Sequence, residues 1–469
     1  MTTRQSPRAL PEGIVLAFYG DDFTGSSSTM EILAFGGLPT VMFLEIPKPT
    51  QIARFRDYRC IGIAGVARSR SPQWMDAAMP RFYRALESLK APITHYKTCS
   101  TFDSAPQIGS IGRAVDLADG IFENGWRPLL VAAPDFGRWQ AFGNLFAAVS
   151  GVAYRLDRHP VMARHPVTPM DEADLRLHLA KQTQKRIGLV DFVAMKQHRT
   201  DKALAAEIAT GAKIVSLDAV DAESLVEAGR LIWEKTAERA FVVGSQGVEY
   251  ALAAYWRSVG LLNPVPAAAP RANPVDRIAC VSGSCSPITA AQIEHASTQG
   301  FRPIRLDAAC AVDERRWQAA TEVAATDALA ALGEGRDPLV FTASGPDDPA
   351  VAAVAEAIAA SGADASGVNN RIGAGLGGVM DEVMRRAGVS RGAIAGGDTS
   401  SHAVTATGAY ALTAVASIAV GAPLCRTFAD DPARDGREIA LKGGQVGGPD
   451  FFSAVRAGGP ISQHQERNT

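Results

Sequence analysis

The chain repeats one pattern along most of its length. A short run of β-branched and other apolar residues is followed by a loop of small polar residues, and then by a stretch with apolar residues at helical spacing. This alternation predicts an α/β fold in which mostly parallel sheets are covered by helices on both faces. In the first part of the chain the apolar runs lie at 13–20, 39–44, 60–67, 93–100, 128–134 and 239–247.

One stretch interrupts the pattern. Residues 263–276 carry four prolines and little periodicity, which is typical of a semi-rigid linker. A chain of 469 residues is also long enough for two domains. We therefore predict an N-terminal α/β domain at 1–262, a linker at 263–276 and a C-terminal α/β domain at 277–469, with the active site in the cleft between them. After the linker the pattern restarts at 278–293, 338–350, 393–404 and 439–452.

The amino-acid composition limits the kinds of molecule that the chain is expected to bind. Hydrophobic residues make up 47% of the chain, charged residues make up 20%, and the formal net charge is −2, so no general attraction to nucleic acid or membranes is expected. The N-terminus lacks the apolar core of a signal peptide, and the longest uncharged apolar run, 411–420, is too short to span a membrane. The six cysteines form no C-x-x-C pair and suit reduced thiols. We expect a soluble, cytoplasmic protein.

The first polar loop places two acids directly after a buried apolar run. Asp21 and Asp22 could accept a proton from a substrate hydroxyl, bind sugar hydroxyls or hold a magnesium ion. They could equally stabilise the start of the next helix, with Thr24 or Ser26 as its cap. The sequence pattern leaves both interpretations open.

Two later loops contain cations beside polar groups. The segment KTCSTFDS places Lys97, Ser100 and Asp103 at a predicted strand end, which suits a ligand with a carboxylate and several hydroxyls. A polar turn with Asp103 as helix cap explains the same residues. Arg138, between a glycine and a tryptophan, could grip an anion or could be a surface charge. His159 and His165 each precede proline and lack a third metal ligand at a familiar spacing, so we interpret them as structural.

Four loops of the C-terminal half consist of Gly, Ser, Thr and Asp. Such loops let backbone N–H groups approach a polyphosphate, and a following helix adds positive potential, so four of them in one domain predict a nucleotide site. The chain has no Walker motif. A G-x-G-x-x-G match at Gly373, Gly375 and Gly378 does not follow a strand, and we predict a closely packed helix start there. The four loops are GSCSP (283–287), ASGP (343–346), GGDTSS (396–401) and KGGQVGG (442–448).

The order and spacing of these motifs over nearly the whole chain resemble the four-carbon acid sugar kinase family. The motifs concerned are GDDFTGSSS, KTCSTFDS, HPVTPMDEADL, GSCS, GGDTS and KGGQVGGPDFF. The resemblance implies an N-terminal sugar-acid domain and a C-terminal nucleotide domain. It also implies ATP-dependent phosphorylation of acids such as threonate, erythronate or 3-oxo-tetronate. The form KTCSTFDS is similar to the 3-oxo-tetronate branch, whereas APQIGSIG departs from the expected G-N-I-G, so the exact substrate stays open.

The resemblance also implies roles for individual residues. Asp22 or Asp398 would remove the proton from the attacking hydroxyl. The implied substrate-binding residues are Asp21, Asp22, Lys97, Ser100, Asp103 and Arg138. The implied nucleotide-binding residues are Ser284, Gly396, Gly397, Asp398, Thr399, Gly443 and Gly444.

The resulting hypothesis is an ATP- and Mg²⁺-dependent kinase that phosphorylates a terminal hydroxyl of a small sugar acid. Two alternatives are a non-catalytic sugar-acid sensor, and an oxidoreductase or aldolase acting on the same metabolites. The sequence leaves open the identity and stereochemistry of the acid, the hydroxyl that is phosphorylated and the metal ligands. It also leaves open the oligomeric state, with a homo-oligomer among the alternatives.

Overall fold

The chain divides into two units in the computed structural model. One unit comprises Met1–Val41 and Glu45–Val265, and the other comprises Met42–Leu44 and Pro266–Thr469. The structure describes residues 7–122, 125–149, 151–165, 167–265 and 269–461, apart from the side chain of Asp398. The linker at 263–276 stays a prediction, because residues 266–268 lie outside these ranges. In the described part of the chain, no helix combines the length and apolar character needed to cross a bilayer.

The first unit is built from alternating strands and helices. Its strands are β1 (Leu16–Gly20), β2 (Thr40–Phe43), β3 (Cys60–Ala64), β4 (Ile93–Lys97), β5 (Arg127–Leu130), β6 (Arg138–Ala141), β7 (Asn144–Val149), β8 (Val152–Arg155), β9 (Ile187–Val190), β10 (Ile214–Leu217) and β11 (Ala240–Gly244). Its helices are α1 (Phe23–Phe35), α2 (Pro49–Ile52), α3 (Pro72–Glu87), α4 (Ile111–Leu117), α5 (Leu175–Ala180), α6 (Phe192–Lys196), α7 (Thr200–Ala209), α8 (Ala222–Lys235) and α9 (Gly247–Ser258).

The main sheet of this unit is parallel. Its strands follow the order β3-β1-β4-β11-β5-β10-β9, with β2 beside β3. All five residues of β1 are buried, as expected for a strand that is covered on both faces. Strands β6, β7 and β8 form a separate antiparallel sheet that the alternating pattern did not predict.

The second unit repeats this construction. A parallel set in the order β13-β14-β12-β15-β18 continues into the antiparallel strands β17 and β16. The predicted fold class, two α/β domains with mostly parallel sheets flanked by helices, is therefore confirmed. The elements are β12 (Ala279–Ser282), α10 (Pro287–Thr298), β13 (Phe301–Arg305), α11 (Glu314–Gly333), β14 (Asp337–Phe341), α12 (Pro349–Ser361), α13 (Ala365–Ala387), β15 (Arg391–Ala395), α14 (Gly397–Ala406), β16 (Ala409–Ala419), β17 (Ala422–Ala429), β18 (Glu438–Lys442) and α15 (Phe451–Ala457).

The G-x-G-x-x-G match lies inside helix α13, so the prediction of a helix start was wrong. Close packing explains the glycines better than backbone conformation does. A Cβ on Gly373 would lie 2.8 Å from the Cβ of His402, and a Cβ on Gly377 would collide with the backbone of Ala403. Gly373 and Gly377 thus let α13 pack closely against α14, and Gly375 packs against Trp317 of α11, where an added Cβ would collide with Nε1. No atom lies within 4 Å of a Cβ added at Gly378.

Candidate functional site

Both units have a topological switch point, where successive strands change sides in the sheet. In the first unit, β3 lies on one side of β1 and β4 on the other. The ends of the central strands are aligned, because Gly20 pairs with Lys97, and Lys97 pairs with Gly244. Ligands of open α/β sheets bind beyond the carboxyl ends of strands at such a point. The loop after β1 and the end of β4 meet there.

The two acids after β1 have different environments. Asp21 is buried, and its Oδ1 lies 2.8 Å from Nη2 of Arg68. Asp22 caps helix α1 through Oδ1, which accepts the N–H of Gly25 at 2.9 Å and lies 2.9 Å from the same Arg68 nitrogen. Oδ2 of Asp22 has no hydrogen-bond partner among the described residues. The cap of α1 is thus Asp22 and not Thr24 or Ser26, so the prediction of the capping residue was wrong. Asp22 also keeps a carboxylate oxygen that can receive a proton.

Arg68 holds the two carboxylates together, and sequence reasoning missed it. It follows β3, on a short 3-10 turn at Ala67–Ser69. Burial raises the pKa of Asp21, and the guanidinium of Arg68 opposes that rise. Asp21 and Asp22 in turn raise the pKa of Arg68, although burial works against this. Arg68 lies four residues after β3 and two before Arg70, so no signal in the sequence separates these two arginines.

Lys97 ends strand β4 and is 2% exposed. Its ammonium group has no hydrogen bond or ion pair within the described ranges. It approaches Asp22 above helix α1, since a Cβ on Gly25 would lie 2.5 Å from Nζ of Lys97 and would collide with Oδ1 of Asp22. A buried cation with unused donors beside a carboxylate is suited to holding an anionic ligand.

The loop after Lys97 is ordered by its own polar side chains. Asp103 accepts the hydroxyl of Thr101 at 2.7 Å, and Sγ of Cys99 lies 3.0 Å from the same hydroxyl. Phe102 adopts a left-handed φ of 58° and is buried, which reverses the chain direction between Thr101 and Asp103. Ser100 and Asp103 are each 8% exposed. The loop therefore presents polar groups on a fixed backbone.

Arg138 begins strand β6 and lies near this loop. Its Nη1 donates to the carbonyl of Gly137 at 2.9 Å, whereas its buried Nε has no partner among the described residues. Burial lowers the pKa of Arg138, and nearby Cys99 and Asp103 oppose that effect. The structure thus brings Arg138 toward the loop that carries Ser100 and Asp103, and Nε and Nη2 make no hydrogen bond among the described residues.

Asp218 fixes the turn that follows Arg138, and the sequence did not reveal it. One carboxylate oxygen accepts the N–H of Gly143 at 3.0 Å, and the other accepts the N–H of Phe142. Nε2 of Gln140 donates to Asp218 at 3.0 Å. Burial raises the pKa of Asp218, while these hydrogen bonds oppose the rise. The acid anchors the small antiparallel sheet to the end of β10.

His159 and His165 accept hydrogen bonds from nearby backbone N–H groups. Nδ1 of His159 accepts the N–H groups of Val161 and Met162, each at 3.2 Å. Nδ1 of His165 accepts the N–H of Thr168 at 3.1 Å. The structural interpretation of both residues is confirmed.

The second unit has its switch point between β12 and β15. Ser282 pairs with Phe341 and Ala395, and Ala395 pairs with Lys442, so the four small-residue loops emerge from one edge. Three of these loops meet at Ser284. A Cβ on Gly444 would lie 2.9 Å from Oγ of Ser284, and a Cβ on Gly396 would lie 3.4 Å from its N.

The loop after β15 needs a glycine at its first position. Gly396 has a φ of 133°, donates its N–H to the carbonyl of Lys442 at 3.0 Å and directly precedes helix α14. A Cβ on Gly283 would collide with the hydroxyl of Thr399. Gly397 is exposed at the helix start, and the side chain of Asp398 lies outside the described residues. The geometry brings Ser284, Gly396, Thr399 and Gly444 together at the start of a helix.

Two buried side chains organise this edge and were not predicted. Nζ of Lys442 donates to Oγ1 of Thr289 at 2.9 Å and to the carbonyl of Gly443 at 3.1 Å, and burial lowers its pKa to about 8. Nε2 of Gln292 lies within 3.1 Å of the carbonyl oxygens of residues 446, 447 and 448. Both hold the loop of residues 442–448 in shape.

No group of three His, Cys, Asp or Glu side chains among the described residues could hold a metal ion. Magnesium ordinarily binds proteins through one or two carboxylates together with substrate phosphates.

The chain matches two domain models that cover most of its length. A sugar-binding N-terminal domain matches residues 16–252, and a nucleotide-binding C-terminal domain matches residues 279–452. A 3-oxo-isoapionate kinase from Paraburkholderia graminis is 47% identical over 97% of both chains. This chain belongs to the four-carbon acid sugar kinase family. The predicted family and enzyme class are thereby confirmed, and the chain is a sugar-acid kinase.

Other members agree with this assignment. A 3-oxo-tetronate kinase from Cupriavidus necator is 30% identical to this kinase, and the match covers 93% of this kinase and 95% of the relative. The crystal structure of a Haemophilus influenzae protein superimposes with a TM-score of 0.70 at 25% identity, covering 94% of this kinase and 99% of that protein. Both matches extend across the two units.

Proposed function

We propose that this kinase transfers the γ-phosphoryl group of ATP to a hydroxyl group of a small 3-oxo sugar acid. The observation that carries the proposal is the arrangement at the end of β1 and β4. There a buried ammonium without a partner in the described residues, Lys97, lies beside a carboxylate with a free oxygen, Asp22. Such a pair can hold an anion and accept a proton from a neighbouring hydroxyl.

The acid is proposed to bind through the cations of the first unit. Lys97 and Nε of Arg138 would bind its carboxylate, and Ser100 and Asp103 would bind its hydroxyl groups. Oδ2 of Asp22 would accept the proton of the attacking hydroxyl, as a general base does in other phosphoryl transfers. Asp21 would stay paired with Arg68, and so would set the position of Asp22 without receiving the proton.

ATP is proposed to bind at the small-residue loops of the second unit. Ser284, the backbone N–H groups of 397–399 and the loop at 443–444 would donate to its phosphate oxygens, while Gly396 would form the turn that places them. Mg²⁺ bound to the phosphates would neutralise the charge that develops during transfer. Asp398 remains the rival base, and mutation of Asp22 and Asp398 separately decides between them.

The named relatives suggest which acids to test first. The 47% identical relative carries the name 3-oxo-isoapionate kinase, and several at about 30% carry the name 3-oxo-tetronate kinase. We propose a 3-oxo acid of this size, with 3-oxo-isoapionate as the preferred substrate. Membership of a kinase family also favours this proposal over a sensor, an oxidoreductase or an aldolase.

The test is ADP release with ATP and Mg²⁺ across 3-oxo-isoapionate, 3-oxo-tetronate, threonate and erythronate. We expect the highest kcat/KM with a 3-oxo acid, together with a product that gains one phosphoryl group. Equal activity with threonate or erythronate would reject the 3-oxo preference while leaving the kinase in place. If ATP binds but no acid in the panel promotes ADP release, the proposed acid class is wrong.

A further inference from the structure

A chain of hydrogen bonds leads from a buried cation to the loop at Ser284. Lys442 is 1% exposed, and its ammonium group can only donate hydrogen bonds. Nζ lies 2.9 Å from Oγ1 of Thr289, so at neutral pH the Thr289 hydroxyl accepts from Lys442. The single hydrogen of that hydroxyl must therefore point elsewhere.

Three acceptors lie within reach of the Thr289 hydroxyl. Oγ of Ser284 is 3.0 Å away, Oγ of Ser286 is 3.1 Å away, and the carbonyl oxygen of Gly444 is 3.2 Å away. Ser286 already accepts the N–H of Thr289 at 3.0 Å, and Gly444 already accepts the hydroxyl of Ser286 in a shorter hydrogen bond. Ser284 is thus the nearest acceptor and the one with the least competition, and the Thr289 hydroxyl donates to it.

Ser284 then has both lone pairs occupied. Its Oγ accepts from the Thr289 hydroxyl and, at 3.3 Å, from the backbone N–H of Ser286. Its own hydrogen has no acceptor among the described residues. Phosphate oxygens only accept hydrogen bonds, so a hydroxyl that must donate matches that ligand class.

We infer that Thr289 and Lys442 are positioning residues that turn the Ser284 hydroxyl outward as a hydrogen-bond donor to a nucleotide phosphate. The inference rests on the proposed nucleotide site at Ser284. It adds that neither Thr289 nor Lys442 touches the nucleotide, and that both act through Ser284. The cation at the inner end of the chain also polarises the two hydroxyl groups and strengthens the outermost donor.

The test measures the Kd for ATP of the full-length protein by calorimetry at pH 7. Ser284→Ala is expected to raise Kd about tenfold, and Thr289→Val about fivefold. Thr289→Ser keeps the hydroxyl, so we expect it to restore the wild-type Kd. The double variant S284A/T289V should match S284A, because Thr289 has no route to the nucleotide once Ser284 is truncated. Lys442→Met should raise Kd in the same way and have a smaller effect in an S284A background, where only its hydrogen bond to the carbonyl of Gly443 is lost.

Ser453→Ala is the matched control, because it removes a buried hydroxyl of the same unit that has no partner in the described residues. We expect it to leave Kd unchanged. Multiplication of the T289V and S284A effects in the double variant would overturn the inference, as would an unchanged Kd in T289V. If T289V does not fold, the K442M pair gives the same comparison. An unchanged Kd in S284A, with ATP still bound, would instead reject the nucleotide site at Ser284, and the inference with it.

Discussion

The two units share a strand order but differ in the chemistry at the switch point. In each unit the third strand of the sheet lies on one side of the first and the fourth on the other. At this point the first unit presents two carboxylates, an arginine and a lysine. The second unit presents hydroxyl groups, glycines and a single buried lysine. The fold thus fixes where a ligand binds, and the loops decide which ligand it is.

The side chains at the two switch points differ because the two proposed ligands have different hydrogen-bonding groups. A sugar acid has hydroxyl groups that donate as well as accept, so its site needs acceptors such as Asp22 and Asp103 beside its cations. A polyphosphate only accepts, and a site of N–H groups and outward hydroxyls suits it. Each unit therefore has the mixture of donors and acceptors that its proposed ligand requires.

Each unit has a buried lysine as the last residue of a strand at the switch-point edge, Lys97 in β4 and Lys442 in β18. Their surroundings differ. Lys97 lies near Asp21 and Asp22, whereas Lys442 has no ion pair within the described residues. Burial lowers the pKa of Lys442 to about 8. Among the described side chains, one lysine thus has carboxylates nearby and the other contacts only neutral groups.

The largest effect is expected from Asp22→Asn. Loss of a general base typically costs 10²- to 10⁴-fold, so we expect kcat to fall about 10³-fold. The Kd for ATP should change less than about twofold, since the site proposed for ATP lies in the other unit. Steady-state kinetics and calorimetry on the same protein check both parts.

Asp21→Asn is the matched control for this substitution. Asp21 is buried against Arg68, so neutralising it leaves the guanidinium with only one carboxylate, and we expect a lower melting temperature. A variant of Asp22 that keeps its turnover, beside an Asp398→Asn variant that loses it, would move the base to the second unit and remove the chemical contrast between the units.

Much of this arrangement was predictable from the sequence. Fully buried parallel strands give continuous apolar runs, and helix starts carry their own signals, such as Ser71 as the cap and Pro72 as the first residue of α3. Because parallel strands end at one edge of a sheet, the small-residue loops had to collect there. These features are local or follow from general rules of topology, and a single sequence contains them.

The remaining features depend on contacts between distant residues. Arg68 and Asp21 are 47 positions apart, and Thr289 and Lys442 are 153 positions apart. Nothing in the local sequence distinguishes Arg68 from Arg70, or shows that Lys442 is buried. The glycines of α13 were misread for the same reason, since the packing of α13 against α11 and α14 is set by the tertiary structure.

Lys97→Met should have the next largest effect. It tests whether Lys97 affects binding of the acid while Lys442 affects binding of ATP. Removing the ammonium group from the proposed carboxylate site should raise the KM for the acid about 100-fold, with little change in the Kd for ATP. Lys442→Met should do the reverse. If both variants weakened both ligands equally, the lysines would be supporting the fold and not separate sites.

Gly25→Ala should reduce kcat/KM for the acid about tenfold. Alanine favours a helix over glycine by about 1 kcal/mol, but its Cβ would lie 2.5 Å from Nζ of Lys97, would collide with Oδ1 of Asp22, and would displace both groups. Gly378→Ala in α13 is the control, because no atom lies within 4 Å of its added Cβ. We expect that variant to gain stability and keep its activity. Full activity in Gly25→Ala would mean that the position of Lys97 is not critical.

The smallest effect concerns pH and Lys442. An anionic nucleotide favours the charged lysine, so the affinity for ATP should be constant below pH 8 and fall above it by at most about fivefold, the loss expected for Lys442→Met. Stability should change in the opposite direction. The folded protein favours the neutral amine above about pH 8, whereas the unfolded chain keeps the proton to about pH 10.4, so the free energy of unfolding rises between these values.

Other groups also titrate in this range, so the informative quantity is the difference between wild type and Lys442→Met. The described neighbours of Lys442 are uncharged, namely Thr289, Gly443 and the ring of Phe451. Both pH dependences should therefore disappear in Lys442→Met, and neither should disappear in Lys97→Met. Identical pH profiles for wild type and Lys442→Met would show that the lysine does not titrate near pH 8. The proposed difference between the surroundings of Lys97 and Lys442 would then have no effect on the pH dependence of ATP binding or of stability.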